Sequence, residues 1–120
     1  MNADSQVTER SWGHYRVLYE YPNSKVKELV VNPGSSLSMQ RHKFRDEFWF
    51  VAEGRPSVYS VDDQGVKYLI SNHVMFDHIN IITDQWHQLV NNTDSPVKII
   101  EIQYGSKCIE EDIERDYDNT

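Results

Sequence analysis

Apolar and polar residues alternate along most of the chain, in short runs broken by turn residues. His14 to Tyr21 places Tyr15, Val17, Tyr19 and Tyr21 at every second position. A period of two is the mark of a strand with one buried face. Lys25 to Val31 follows the turn Pro22-Asn23-Ser24 and stops at Asn32-Pro33-Gly34, a strong turn signal. Leu37 to His42, Glu47 to Ala52, Ser57 to Val61, Gly65 to Ile70, Val74 to Ile82, His87 to Val90 and Val97 to Tyr104 continue the series. Asp62-Asp63-Gln64-Gly65 reads as a hairpin turn between two of them. No helical period holds before residue 109. Strands this short and this numerous predict an all-β domain. Closure into a barrel or a two-sheet jelly roll would hide their edges.

Length and composition fit one unit. The 120 residues, with 38% hydrophobic and 12% aromatic positions, suffice for one core. The expected organisation is a single domain over 1–120, with an N-terminal arm at 1–8 and an acidic C-terminal segment at 109–120. No apolar run approaches the roughly 18 residues of a membrane span. The opening MNADSQVTER is polar and does not read as a secretory leader. A cytoplasmic setting is expected. The net charge is −7, and residues 110–120 hold six acids against Arg115 alone. The body is thus nearly balanced and carries no basic stripe, so neither nucleic acid nor a membrane is an expected partner. The acidic tail reads as a solvated, partly helical or frayed end. The single cysteine, Cys108, excludes an internal disulfide framework.

One stretch carries candidate chemistry. Gln40 and His42 are two apart, so on a strand they share a face. Glu47 follows across a short bend and can return on the next strand to the same interior. His87 opens a later strand, with Asn91 four residues on. An amide oxygen from Gln40, the imidazoles of His42 and His87 and the carboxylate of Glu47 form a plausible ligand set for a divalent metal. Zinc is the first expectation, and manganese, iron, cobalt or nickel also suit the set. Arg45 reads either as a phosphate-holding fork or as a surface arginine. Trp49 sits mid-strand and reads as core, whereas Trp86 beside His87 suits a sugar-stacking position at a cavity mouth.

The run from Gly34 through Gln40, His42 and Glu47 to Gly54 resembles the first cupin motif, with Gln at the first histidine position. That Gln, the opening Glu9-Arg10-Ser11-Trp12-Gly13, the segment Lys25 to Gly34 and the end Ile99 to Ser106 are similar to one subgroup. It is the type II phosphomannose isomerase cupin, found as the C-terminal part of mannose-1-phosphate guanylyltransferases. The resemblance implies a cupin double-stranded β-helix and a metal at Gln40, His42, Glu47 and His87. It also implies interconversion of mannose 6-phosphate and fructose 6-phosphate, and a homodimer. Glu101 and Lys27 are the strand residues to test first as the base. Phe44 and Phe48 stand where the family has histidines, and Ile82 and Asp84 replace the proline and glycine of the second motif. These departures keep a second reading open: a non-catalytic cupin that binds a sugar, a nucleotide sugar or another small metabolite.

Overall fold

The computed structural model describes residues 6–117. Its strands are β1 (Val7–Arg10), β2 (Gly13–Tyr21), β3 (Ser24–Val31), β4 (Gln40–Arg41), β5 (Arg45–Glu53), β6 (Ser57–Val61), β7 (Lys67–Asn72), β8 (His78–Ile81), β9 (Gln88–Val90), β10 (Val97–Gly105) and β11 (Glu114–Arg115). They form a six-stranded sheet in the order β1-β2-β3-β10-β5-β8, a three-stranded sheet β7-β6-β9 and the small pair β11-β4. All pairings are antiparallel. The two larger sheets enclose one core. Leu29, Val31, Trp49, Val51, Val97 and Ile99 come from the large sheet, and Val58 and Leu89 from the small one. This is the all-β jelly roll expected from the alternation. Among the described residues no helix is long and apolar enough to cross a membrane.

The inner face of the large sheet is split lengthwise. Inward positions read Lys25, Lys27, Leu29, Val31 on β3 and Val97, Ile99, Glu101, Gln103 on β10. On β5 they read Arg45, Glu47, Trp49, Val51. Antiparallel register stacks like with like: Ile99 lies between Leu29 and Val51, Glu101 between Lys27 and Trp49, and Gln103 between Lys25 and Glu47. One end of the barrel is therefore dry and the other polar. Cross-strand neighbours on one face interact directly, so the polar end brings its charges together before any loop is considered.

Several elements differ from expectation. The strand expected over Leu37 to His42 shrinks to Gln40–Arg41, flanked by single bridges from Ser36 to Val90 and Gln40 to His87. The strand expected over Val74 to Ile82 begins only at His78. Before it, the Asp77 carboxylate accepts the Val74 amide at 3.0 Å and Phe76 takes φ 77°, which makes a turn. The expected N-terminal arm overlaps β1, because Val7 and Thr8 pair with Arg16 and Tyr15. Residues 1–5 of that arm lie outside the described residues. The acidic segment is not a free end. Glu114 and Arg115 pair with Arg41 and Gln40, and Asp112 is buried with its carboxylate accepting the Lys43 and Phe44 amides at 2.9 Å each.

Asn91 ties off the loop before β10. Its fully buried amide donates to the carbonyls of Val31, Asn32 and Ser95 at 3.1, 3.2 and 2.8 Å. Its oxygen accepts the Thr93 amide and hydroxyl at 3.0 and 2.6 Å. Removing the amide strands buried carbonyls. Asn91→Ala is expected to cost about 2–4 kcal/mol in urea unfolding with an unchanged slope. A loss under about 0.5 kcal/mol would contradict this role.

Candidate metal centre

Glu47 sits at the polar end of the barrel, 2% exposed, and two histidines converge on it. His42 Nε2 lies 3.2 Å from Glu47 Oε2, and His87 Nε2 lies 3.8 Å from Glu47 Oε1. The ligand atoms of His42, Glu47 and His87 all fall within 4.8 Å of one another. Each imidazole is oriented from behind. His42 Nδ1 contacts the Asp112 carbonyl at 2.7 Å, and His87 Nδ1 contacts the Gln85 carbonyl at 2.9 Å. A carbonyl only accepts, so both Nδ1 atoms carry the proton and both Nε2 atoms present lone pairs. Burial holds both imidazoles neutral, with pKa values lowered to about 4, and the Arg45 charge adds to this at His42. Acceptors thus face acceptors across the centre, and a positive charge or N–H donors from outside the set must satisfy them. Nδ1–H bonded to a carbonyl with Nε2 free is also how metal-binding histidines are held. The residues present therefore fit a divalent metal.

Arg45 supplies positive charge at this place. Its Nε donates to Glu47 Oε2 at 3.0 Å, its Nη1 to the Ile109 carbonyl at 3.2 Å, and its Nη2 approaches His42 Nε2 at 3.4 Å. It is 6% exposed, so the surface reading does not hold. Two of its nitrogens thus face the centre and one the Ile109 carbonyl, while the residue also lines the cavity at this end of the barrel. Gln40 reaches the same region through its backbone, which exchanges hydrogen bonds with His87 at 2.9 Å each way. Its amide nitrogen donates to the Ser38 hydroxyl at 3.1 Å, a bond in which the amide oxygen takes no part.

A cavity of about 490 Å³ opens onto this end. Gln40, Arg45, Glu47, Glu101, Lys27 and Gln103 are on its wall; His42 and His87 contact Glu47 but do not line the cavity themselves. Glu101 is buried, accepting Trp49 Nε1 at 3.0 Å and Gln103 Nε2 at 2.7 Å. The same indole N–H lies 3.1 Å from Glu47 Oε1, so Trp49 bridges the two acids as well as filling the core. Burial, then the Glu47 charge, pushes the Glu101 pKa up to about 7, against the pull of Lys27. Lys27 Nζ binds Glu110 at 2.8 Å and lies over the Tyr15 ring at 4.5 Å. Trp86 is not on the cavity wall; it lies under the Arg41 guanidinium, 4.7 Å away.

The departures from the family motif prove local. Phe48 is on the outer face of β5, stacked on His78, and Phe44 is exposed beneath Lys107. Neither reaches the cavity wall. Asp84, standing at the motif glycine, takes φ 66° itself, and its amide donates to the His42 carbonyl at 2.8 Å. Aspartate tolerates that left-handed conformation better than most residues, so the turn leading to His87 survives.

The sequence reading missed Gln103, Glu110, Asp112 and Ile113. Gln103 was legible from the alternation of β10. The others come from the tail, and no local pattern announces a contact such as that from Asp112 to His42, 70 residues apart.

Known proteins share this fold and identify its family. Bacillus subtilis oxalate decarboxylase superposes with a TM-score of 0.79 at 14% identity, over 94% of this chain and 30% of that one. A Klebsiella pneumoniae protein with a double-stranded β-helix domain superposes at 0.71 and 13% identity, covering 96% of this chain and 88% of its own. The fold is that of the cupins, and one of these neighbours, the oxalate decarboxylase, has Mn(II) centres. At the sequence level, the model of the mannose-6-phosphate isomerase C-terminal family matches residues 2–118. The chain belongs to that family. The alginate biosynthesis protein AlgA of Pseudomonas putida is 38% identical over 106 residues, 88% of this chain and 21% of AlgA. The mannose-1-phosphate guanylyltransferase RfbM of Salmonella typhimurium is 36% identical over 111 residues, 92% of this chain and 22% of RfbM. The chain spans about a fifth of the length of these relatives.

Glu101 makes a test of the buried acid pair. Its folded pKa of about 7 lies above the ordinary 4.5, so the folded state binds the extra proton. Its contribution therefore turns against folding as pH rises from 4.5 through 7. In metal-free protein, Glu101→Gln is expected to gain stability relative to wild type between pH 5 and 8, on the order of 1–3 kcal/mol at the upper end. Parallel pH profiles in urea unfolding would contradict the assignment.

Proposed function

We propose that the chain is a metal-dependent isomerase of phosphorylated sugars, interconverting mannose 6-phosphate and fructose 6-phosphate. The observation that carries this reading is the placement of Glu101, a buried acid held by Trp49 and Gln103, on the wall of the cavity that also holds Glu47. Membership of the mannose-6-phosphate isomerase C-terminal family supports this sugar class. His42, Glu47 and His87 would hold the cation, with the Gln40 amide oxygen as a fourth donor. A cation held there would supply Lewis-acid polarisation of the sugar's carbonyl and hydroxyl oxygens.

The chain's own part is proton traffic. Glu101 takes the proton from C2 of the aldose and returns it to C1, through an enediol, while the hydroxyl proton passes from O2 to O1. One carboxylate that reaches both carbons can serve as base in the first half and as acid in the second. Trp49 and Gln103 hold the carboxylate in place by donating to its two oxygens. Phe44 and Phe48 lie outside the cavity, so they take nothing from this machinery.

Metal-loaded wild-type protein is expected to form fructose 6-phosphate from mannose 6-phosphate. Glu101→Gln should lower kcat about 10²–10⁴-fold with metal content kept, and His42→Ala should abolish turnover together with the metal. Wild-type turnover no higher than that of His42→Ala would refute the proposal. Sugar-phosphate binding that survives chelation without turnover would place the chain with the non-catalytic cupins instead.

A further inference from the structure

Lys25 and Lys27 are both inward on β3 and only 4% and 6% exposed. Two ammonium groups on one buried face repel each other unless an anion lies between them. One does: Glu110 Oε1 accepts Lys27 Nζ at 2.8 Å and Lys25 Nζ at 3.3 Å. Glu110 comes from the tail, and its side chain is 60% exposed. Glu20, the other partner of Lys25 at 3.1 Å, is 61% exposed. The cations are thus fixed in the barrel wall, while the acids reach them from solvent. Lys27, Glu110, Arg10 and Arg115 share the cavity with Glu101, and the register seats Lys27 directly beside Glu101. Arg10, Lys27, Arg45 and Arg115 all line this cavity in a chain of net charge −7, and Lys25, off that wall, shares Glu110 with Lys27.

From this we propose that Lys25 and Lys27 form a subsite for a phosphate group, and that the Glu110 carboxylate is an internal anion which a bound phosphate displaces. The proposal rests on the sugar-phosphate reading for its ligand class. It assigns the phosphate to the lysines of β3 rather than to Arg45, three of whose five N–H groups already meet Glu47, Ile109 and His42. A dianionic phosphate matches two ammonium groups better than one carboxylate oxygen does. Glu110 gives up two lysine contacts on leaving, so the second negative charge of the phosphate has to outweigh them, while water at its 60% exposed side chain receives the freed carboxylate. Its departure would also release the segment between β10 and β11 from β3.

Inorganic phosphate, titrated calorimetrically into metal-free protein at constant ionic strength, is the probe. Glu110→Gln removes the competitor and should tighten phosphate binding about tenfold, which is roughly 1.4 kcal/mol. Lys27→Met should weaken it beyond detection while the fold, read by circular dichroism, is retained. Should either variant fail to fold, wild-type amide hydrogen exchange decides. Residues 107–111 should exchange faster with phosphate than with chloride. Unchanged affinity in Glu110→Gln, or unchanged exchange at 107–111, would overturn the proposal. Because neither metal nor turnover enters the titration, a failed isomerase assay with this phosphate behaviour would sink the activity and leave the subsite standing. The reverse result would do the opposite.

Discussion

Two neutral imidazoles and a carboxylate, all buried, turn lone pairs toward one another at the polar end of the barrel. Carbonyls behind each ring dictate this, because they claim the Nδ1 protons of His42 and His87. Left alone, such an acceptor cluster would be costly at this depth. Everything around it answers that cost. Arg45 leans in with its guanidinium, and the Trp49 indole donates to Glu47. A divalent cation is the most complete answer that this donor set admits.

The sheet makes the cluster possible by changing character along its length. On β3, β10 and β5 the inward positions pass from aliphatic to charged at matching register, so one barrel holds a dry half and a reactive half. The dry half supplies the stability. The reactive half draws on it by burying Glu101 and lifting its pKa to about 7. The tail completes the construction. Asp112 fixes the His42 ring through its carbonyl and caps the turn at Lys43 and Phe44 through its carboxylate. Glu110 neutralises the lysines of β3 from the same segment, and its pKa falls to about 2 because the lysine contacts outweigh its burial.

The bounds of β2, β3, β6 and β10 were legible nearly to the residue, but only β3 and β10 alternate between a buried and a more open face; in β2 Tyr19 and Tyr21 are exposed, and β6 is buried at nearly every position. The parity of Gln40 with His42, and the return of Glu47 on the next strand, followed from the alternation of side chains along a strand. What stayed hidden was set by contacts distant in sequence. The acidic tail looks like a solvated end by composition, yet Asp112 is buried because two backbone amides need its carboxylate. Arg45 looked free to meet a phosphate, and only the fold reveals that Glu47, two residues on, claims it. Phe48 gave the wrong impression for a simpler reason: it neighbours Glu47 in sequence, and neighbours on a strand point to opposite faces.

The most direct test of the central claim is metal analysis of the protein purified without chelator, beside His42→Ala and His87→Ala. With wild-type protein, about one equivalent of a divalent metal is expected per chain, and both variants, still folded by circular dichroism, should carry none. Wild-type protein that stays metal-free after incubation with zinc or manganese, or variants that keep the metal, would contradict the account.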